Sequence, residues 1–561
     1  MTRLVSQSAT DAGRLPREAA GIARGAAVIA SLTILSRIVG LVRTVVFSQT
    51  VGATCLGTAY VTANQVPNLV YELVLGGALA SVMVPVLARS AERSASDAAQ
   101  KAQVRQISSA LLTWTVIILA PLALVILAAA GPIASLLSPA NANANCAHAD
   151  VVATTADMLR VFSPQVVLYG LSVVLFGLLQ AYRRFAGYAL APIVSSLVLI
   201  ASYLAFAPLN KGMPLARLSL TSQLVLSVGT TVGVATLVLA ALVPTWRLRL
   251  RLRPALRLPP GVARQAGGLA LVGLVEIVAG DASNVAVIGL ANGRGPTGAL
   301  VIFNYAFQVF SSLNSVLAVS IVLSAFPVLA ARDGAVFDRT CAGSTRAVML
   351  AACLGMAVIG AVTIPAAHVL SNQPDQVSQL IWGFAMFAPG LAGTAVIANL
   401  SRAMLAIGRL KVAAVAVAGS WLLVILAQVV LAELVRPGLV VGALALGYTL
   451  GQTGAAIPLV IVTRRIRGKA ALQGVGRASV AGLGAAAVAA TVGVVVTVAL
   501  PASHRVLDAG VGVVSASAAV IAFGAVAFLL GDTEVRAILV RLWRVARLRS
   551  AGQGAGNSVD W

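Results

Sequence analysis

The chain has 561 residues, of which 59% are hydrophobic and only 10% are charged. Its mean hydropathy is +0.95, whereas a soluble protein of this length needs far more charge to cover its surface. The formal net charge of +23 does not indicate a nucleic-acid partner, because the basic residues cluster in alternate loops between apolar runs. The composition therefore predicts an all-α polytopic membrane protein.

The chain begins with a polar tail over residues 1–21 and ends with a basic tail over residues 532–561. The first tail lacks the apolar core and small-residue cleavage site of a signal peptide, so we expect the first span to be retained. Between the tails, hydropathy predicts about fourteen transmembrane helices. The apolar runs cover residues 24–49, 58–88, 107–137, 151–180, 187–208, 218–243, 266–291, 298–330, 346–370, 377–405, 411–433, 438–463, 478–500 and 509–530.

Basic residues are distributed unequally between the loops. The richer set includes the segment from Trp246 to Arg253, where arginine alternates with leucine. This segment is either a short strand-like piece lying on anionic lipid headgroups or an ordinary basic loop. The positive-inside rule places this set, and both termini, in the cytoplasm, with the opposite loops outside the cell membrane.

An internal repeat divides the predicted helices. Phe162-Ser-Pro164 matches Phe387-Ala-Pro389, and Arg184 matches Arg409 at the same offset. We therefore predict two pseudo-symmetric six-helix lobes, a design typical of transporters. The predicted lobes are residues 22–260 (helices 1–6) and 261–475 (helices 7–12), and two extra helices (13 and 14) follow in residues 476–531.

The first span carries two arginines, Arg37 and Arg43, at predicted membrane depth. Intramembrane arginines are costly and usually functional, and a guanidinium matches the geometry of phosphate. The alternative is a structural ion pair with Glu72, Glu276 or Asp281. These three acids are candidates for an ion site or for counter-ions, and Asp281 is the candidate for a coupling cation, Na⁺ or H⁺.

No enzyme site is evident in the sequence. The three histidines are spread along the chain without metal-ligand spacing, so we expect no metal site. The glycine-rich segments lack the lysine and hydroxyl residue of a nucleotide-binding loop, so no cofactor is expected. The histidines are His148, His368 and His504.

The four cysteines fall in two predicted environments, one reducing and one outside the membrane. Cys341 is predicted in a cytoplasmic loop and Cys353 in the ninth span, where both remain reduced. Cys55 and Cys146 fall in two outer loops of the same lobe. They either form a disulfide or remain as two separate thiols, since the sequence does not give their distance.

Short motifs follow a fixed order along roughly the first 410 residues: Ser36-Arg37-x-x-Gly40-x-x-Arg43, Asn64-Gln-Val-Pro67-Asn68, Val84-Pro-Val-Leu-Ala-Arg89, Leu159-Arg-Val-Phe-Ser-Pro164-Gln, Gly177-Leu-Leu-Gln-Ala-Tyr-Arg183 and Phe303-Asn-Tyr305-Ala-Phe-Gln308. Their combined order resembles the MurJ/MviN family of lipid II flippases, and specifically a divergent member of Gram-positive type. The resemblance implies export of an undecaprenyl-linked disaccharide-peptide by alternating access. It further implies that a cationic cavity binds the pyrophosphate, and that the two extra helices form a groove for the lipid tail.

By motif position, the resemblance assigns Ser36, Arg37, Arg43, Asn68 and Gln308 to the substrate site. The sequence departs from the family at several charged positions: Thr44 and Thr58 replace common acids, Tyr71 replaces a basic residue, and Gln308 replaces an arginine. The resemblance therefore implies a less cationic cavity than in well-known members.

Two further functions remain alternatives. One is export of another polyprenyl-linked glycan or of a small cation or drug. The other is a non-transporting scaffold for cell-wall synthesis proteins, which are also candidate partners of a flippase. A cavity lined by Arg37 and Arg43 favours transport over the scaffold.

Overall fold

The computed structural model describes residues 31–76, 98–182, 184–210, 215–248, 253–256, 262–500 and 504–530. Both predicted tails, and Arg249 and Arg251 of the arginine–leucine segment, lie outside these ranges. The described residues form helices and no strand. In chain order the α-helices are α1 (Ser31–Thr50), α2 (Cys55–Gly76), α3 (Ala98–Ala128), α4 (Ala130–Leu137), α5 (His148–Phe162), α6 (Gln165–Ala181), α7 (Phe185–Asn210), α8 (Leu220–Trp246), α9 (Val262–Arg294), α10 (Ala299–Asn314), α11 (Ser320–Ala331), α12 (Gly334–Leu370), α13 (Pro374–Phe387), α14 (Gly390–Ala406), α15 (Leu410–Leu434), α16 (Val440–Arg467), α17 (Val475–Ala499) and α18 (Arg505–Leu529).

Among the described residues, 12 helical stretches are long and apolar enough to cross a membrane, and the bent pair α5–α6 makes a thirteenth. The predicted second span, 58–88, is described only up to residue 76, as α2. These stretches follow the predicted runs in order, so the prediction of an all-α polytopic protein is confirmed. Helices dominate because only they satisfy every backbone polar group within one apolar segment.

Each copy of the Phe-x-Pro motif interrupts the helix of its span. α5 ends at Phe162 and α6 begins after Pro164, with a bend of 41° between them. Proline has no N–H, so it leaves a carbonyl of the preceding turn without its helical donor. In the first copy, the Ser163 hydroxyl donates to the Arg160 carbonyl at 2.9 Å, which compensates for that loss.

In the second copy the break lies between α13 and α14, at Ala388 and Pro389. Here a hydroxyl of another helix contacts the broken turn, because Thr449 Oγ1 of α16 donates to the Met386 carbonyl at 2.6 Å. Both motif phenylalanines, Phe162 and Phe387, are fully buried. The motif is therefore a helix break followed by a new helix, with an aromatic anchor immediately before it.

The described chain separates into two compact units. The first contains residues up to Pro139 and Cys146–Val278, and the second contains Ala140–Asn145 and the residues from Ala279 onward. The division thus falls within α9, whereas the sequence predicts a lobe boundary at residue 260.

Within the first unit, α2 packs on α5 and α6, α3 packs on α6, and α8 packs on α5, α6 and α7. Leu175, Phe176 and Leu179 of α6 form a buried cluster with Ala191 of α7 and Ala241 of α8. Apart from α7 and α8, these pairs join helices that are not consecutive in the chain, so much of this core is tertiary rather than local.

Within the second unit, the same scheme recurs with α10, α12, α13, α14, α15 and α16 in place of α2, α3, α5, α6, α7 and α8. α10 packs on α13 and α14, α12 packs on α14, and α16 packs on α13, α14 and α15. The common helix order and pairing confirm two pseudo-symmetric sets of helices. The additional helices α17 and α18 pack on α12 and on each other.

The α12 helix corrects one prediction. Cys341 lies inside α12 and is buried, rather than in a cytoplasmic loop. α12 begins at Gly334, about three turns before the apolar run that starts at residue 346. These first turns carry Asp338, which accepts a hydrogen bond from the Arg467 side chain at 2.9 Å. The helix therefore extends beyond the N-terminal end of the apolar run, where Arg467 of α16 provides a polar partner for Asp338.

Cys55 and Cys146 are joined by a disulfide in the first unit, with their Cα atoms 5.9 Å apart. Cys55 begins α2 and Cys146 lies two residues before α5, so the bond joins two helix ends that also pack together. We expect an impermeant maleimide to leave both cysteines of intact cells unlabelled until a reductant is added. Labelling of both cysteines before reduction would contradict the bond, and Cys341, which is buried, serves as the unlabelled control.

Candidate functional site

The two arginines of the predicted site lie on α1, which is helical without interruption from Ser31 to Thr50. Arg37, Arg43 and the neighbouring Ser36 are half-buried. Six residues of a regular helix separate two side chains by about 120° around its axis, so Arg37 and Arg43 lie on different faces of α1. Within the described part of the first unit, no ion pair engages either arginine.

A buried tyrosine cluster surrounds the end of α1 that carries Arg43. The Tyr60 hydroxyl of α2 lies 3.0 Å from the Tyr203 hydroxyl of α7 and 2.9 Å from Thr230 Oγ1 of α8. Phe47 of α1 packs on both tyrosine rings at 5.2 Å. The guanidinium of Arg43 is within electrostatic range of both hydroxyls. The cluster thus connects α1 with three other helices and places hydroxyl groups near a permanent cation.

Tyr169 of α6 connects Arg43 with Asn68. Its hydroxyl donates to Asn68 Oδ1 at 2.9 Å and is also within electrostatic range of Arg43. Its ring packs on that of Tyr71 at 4.6 Å. Two residues that the motif order assigns to the site, Arg43 and Asn68, therefore share one neighbour. Sequence reasoning did not assign Tyr169 to the site, although a tyrosine hydroxyl in an apolar span requires a polar partner.

The Tyr169 hydroxyl should hold the Asn68 amide in one orientation. We expect Tyr169→Phe, which keeps the ring but removes the donor, to lower transport about 2- to 10-fold, corresponding to ~0.5–1.5 kcal/mol. The readout is growth of a flippase-depleted strain at graded expression. In an Asn68→Ala background the same substitution should have no further effect. Two independent, additive losses would show that Tyr169 does not act through Asn68.

The other predicted site residues are distributed over both units. Glu72 of α2 and Glu276 of α9 are exposed, and both belong to the first unit. Asp281 is buried and belongs to the second unit. Gln308, also in the second unit, donates to Ser312 Oγ at 3.4 Å along α10.

The span that holds Gln308 contains a feature that sequence analysis missed. Between α10 and α11, residues Ser315–Val319 form a π-helical turn. Such turns are rare and often occur at functional sites or hinges. Upstream of the turn, Phe303, Phe307 and Phe310 pack on Phe387, the second motif phenylalanine. An aromatic cluster thus fixes α10 against the broken span, and the π turn begins about two helical turns beyond Gln308.

Asp281 is the predicted candidate for a coupling ion. Two residues further along α9, the Ser283 hydroxyl donates to Gln428 Oε1 at 3.3 Å, and Gln428 Nε2 donates to the Leu444 carbonyl at 3.1 Å. No group of three or more His, Cys, Asp or Glu side chains suited to a metal ion occurs among the described residues. The coupling cation stays a prediction.

The comparison with protein families identifies the family to which the chain belongs. The family model described as lipid II flippase MurJ matches residues 47–516 of this chain. The chain belongs to the MurJ family of lipid II flippases. Membership makes it a transporter rather than an enzyme, and the predicted family resemblance is confirmed.

Relatives of known sequence or structure agree with this assignment. The probable lipid II flippase MurJ of Haemophilus influenzae is 42% identical over 57 residues, which are 10% of this chain and 11% of that protein. The match therefore spans a small part of that relative's length. A solved lipid II flippase MurJ in an inward closed conformation has a TM-score of 0.67 at 14% identity, covering 91% of this chain and 99% of that one.

The fold is shared beyond the MurJ family. An inward-facing multidrug resistance transporter of the MATE family, in the MOP superfamily, has a TM-score of 0.60 at 14% identity, with 78% of this chain and 95% of that chain covered. Identities this low establish a common fold alone. The membrane-transport character of the chain thus rests on its family match and its spans together.

Proposed function

We propose that the protein translocates lipid II, an undecaprenyl-linked disaccharide-peptide, from the inner to the outer leaflet of the bacterial cell membrane by alternating access. The observation that carries the proposal is the match of the family model to residues 47–516. The electrostatic interaction of Arg43 with the Tyr169 hydroxyl, which in turn donates to Asn68, supports it, since Arg43 is a permanent cation on a predicted span.

The pyrophosphate of the substrate is the group that these side chains suit. A guanidinium offers paired donors for phosphate oxygens and stays charged at membrane depth. The Nδ2 amide of Asn68, whose Oδ1 accepts the hydrogen bond from Tyr169, adds a neutral donor that leaves the net charge of the site unchanged.

The membrane potential supplies a direction for transport. A negatively charged headgroup moving from a negative interior to the outside releases about 2.3 kcal/mol per charge for each 100 mV. No nucleotide is required in this scheme. A coupling cation, Na⁺ or H⁺ near Asp281, would add to this driving force and stays a prediction.

The orientation follows from the distribution of charge. Arg464, Arg465 and Arg467 end α16, while Arg294 and Arg436 lie at the opposite ends of α9 and α15. We propose that the arginine-rich end is cytoplasmic, together with both termini and the proposed contacts to anionic lipids. Cell-wall synthesis proteins are the proposed macromolecular partners.

Rescue of a bacterium depleted of its own lipid II flippase tests the proposal. We expect the wild-type chain to restore growth and to make lipid II accessible at the outer face. Growth without surface lipid II would favour a scaffold. Failure in both readouts, with the protein correctly inserted, would favour export of another polyprenyl-linked glycan or of a small cation or drug. The neutral Thr44, Thr58, Tyr71 and Gln308 make this substrate test necessary.

A further inference from the structure

The second unit contains a cavity of about 950 Å³ that none of the predicted transport residues lines. It lies where the last turn of α12 meets the first turns of α13 and α18. The charge distribution places this end of the helices outside the cell. Its polar lining consists mainly of His368, Asn372, Ser378, His504, Arg505 and Asp508.

Two histidines that are 136 positions apart by residue number, His368 and His504, thus line one cavity. His368 Nδ1 lies 3.8 Å from Asp508 Oδ1, so the acid of this cavity already faces a basic partner. His504 is the residue before α18, and its side chain forms no capping hydrogen bond. One imidazole therefore offsets the carboxylate and the other remains available to a ligand.

Arg505 supplies the permanent positive charge. Its Nε donates to Asn372 Oδ1 at 3.0 Å, which holds the guanidinium at the cavity. Its two Nη groups form no hydrogen bond to a described residue, so they are free to donate to a ligand. The first turns of α13 and α18 add helix N-termini, where the backbone favours negative charge. Asp375, in the first turn of α13, is the other nearby acid and does not line the cavity.

We propose that this cavity binds a phosphate group, with Arg505 as the main ligand-binding residue and His504 and His368 as further donors. The volume far exceeds that of a free phosphate ion, so a phosphate carrying a larger substituent fits best. Val506, which is 84% exposed, lies on the lining beside the charged groups. This combination suits the phosphodiester headgroup of an anionic lipid in the outer leaflet. The site shares no residue with the proposed transport site, and it rests on the proposed orientation but not on the proposed transport activity.

Binding should strengthen as the pH falls. Histidine is the side chain that gains charge between pH 8 and pH 5, and His368 and His504 both face the cavity. The other charged groups that line the cavity are Arg505 and Asp508. Sulfate is the suitable probe because its own charge stays constant, so any pH dependence comes from the protein.

The test uses the purified full-length chain in detergent, titrated with sulfate at pH 5.5 and pH 8 while its thermal unfolding is followed. We expect saturable stabilisation that is stronger at pH 5.5. Arg505→Gln should weaken sulfate binding at least 10-fold, which is about 1.4 kcal/mol. The matched control is Arg436→Gln, since Arg436 is another exposed arginine at the same end of this unit. Equal affinities for all three proteins would overturn the proposal.

A second measurement keeps the result independent of folding and identifies the source of the phosphate. The same proteins in nanodiscs are compared with phosphatidylglycerol and with phosphatidylcholine as the bulk lipid. Selective retention of phosphatidylglycerol, lost in Arg505→Gln, supports a lipid headgroup. Sulfate or inorganic phosphate binding that is equal in both lipids supports a soluble phosphate compound. The site is contradicted if the wild-type protein shows neither selective lipid retention nor anion binding, or if both are unchanged in Arg505→Gln.

Discussion

Replacement of Arg43 by alanine should abolish rescue of a flippase-depleted strain while the protein remains in the membrane. The Arg43 guanidinium interacts electrostatically with the hydroxyls of Tyr60, Tyr169 and Tyr203. Loss of a charge-assisted hydrogen bond to pyrophosphate costs ~1.5–3 kcal/mol, so substrate affinity should fall about 10- to 100-fold. Lysine should retain part of the activity, since it preserves charge but not the paired donors.

Arg37 tests whether the two arginines act as a pair. Because they lie on different faces of α1, each guanidinium makes a separate contact, so alanine at Arg37 should also abolish rescue. Arg217→Ala provides the matched control, since Arg217 is an exposed arginine of the same unit in the short 3₁₀ segment before α8. Full rescue by both single variants would exclude Arg37 and Arg43 from pyrophosphate binding.

Replacement of Gly451 by alanine should strongly destabilise the protein, in contrast to the same replacement at Gly454. A Cβ atom at this position of α16 would lie 2.4 Å from the Val424 backbone nitrogen and 2.5 Å from its Cα. Backbone atoms of α15 cannot move aside as a side-chain end can, so the two helices must separate. Overpacking of this kind costs about 1–3 kcal/mol or more, and we expect a large decrease in the unfolding temperature in detergent.

Gly454 gives the matched control for this experiment. It lies one turn further along the same helix, and a Cβ there would meet only Leu423 Cδ1, at 4.0 Å. Alanine at Gly454 should therefore be neutral or slightly stabilising, by about 0.5–1 kcal/mol through helix propensity. Equal unfolding temperatures for the two alanine variants would show that the close approach of α15 and α16 at Gly451 is unimportant.

The two Phe-x-Pro breaks show how one sequence motif is built differently in the two units. At the first break, the Ser163 hydroxyl donates to the Arg160 carbonyl, which is the carbonyl that Pro164 leaves without its helical donor. At the second break, the Thr449 hydroxyl of α16 donates to the Met386 carbonyl. The first break is thus supported from within its own span and the second from a neighbouring helix.

The sequence by itself determined the class of protein, the order of its spans and the position of the repeat. These properties are local, because about twenty apolar residues and one proline suffice to predict a membrane helix and its break. It also identified Arg37 and Arg43, since an arginine at membrane depth is costly wherever it points.

Only the tertiary structure placed Tyr169 against Asn68, Gly451 against Val424, and His368 with His504 at one cavity. It also gave the 5.9 Å separation that joins Cys55 to Cys146. Each of these contacts depends on which helices are neighbours and on the rotation of each helix about its axis. Apolar spans face lipid and protein with nearly the same residues, so their sequence carries little information about that rotation.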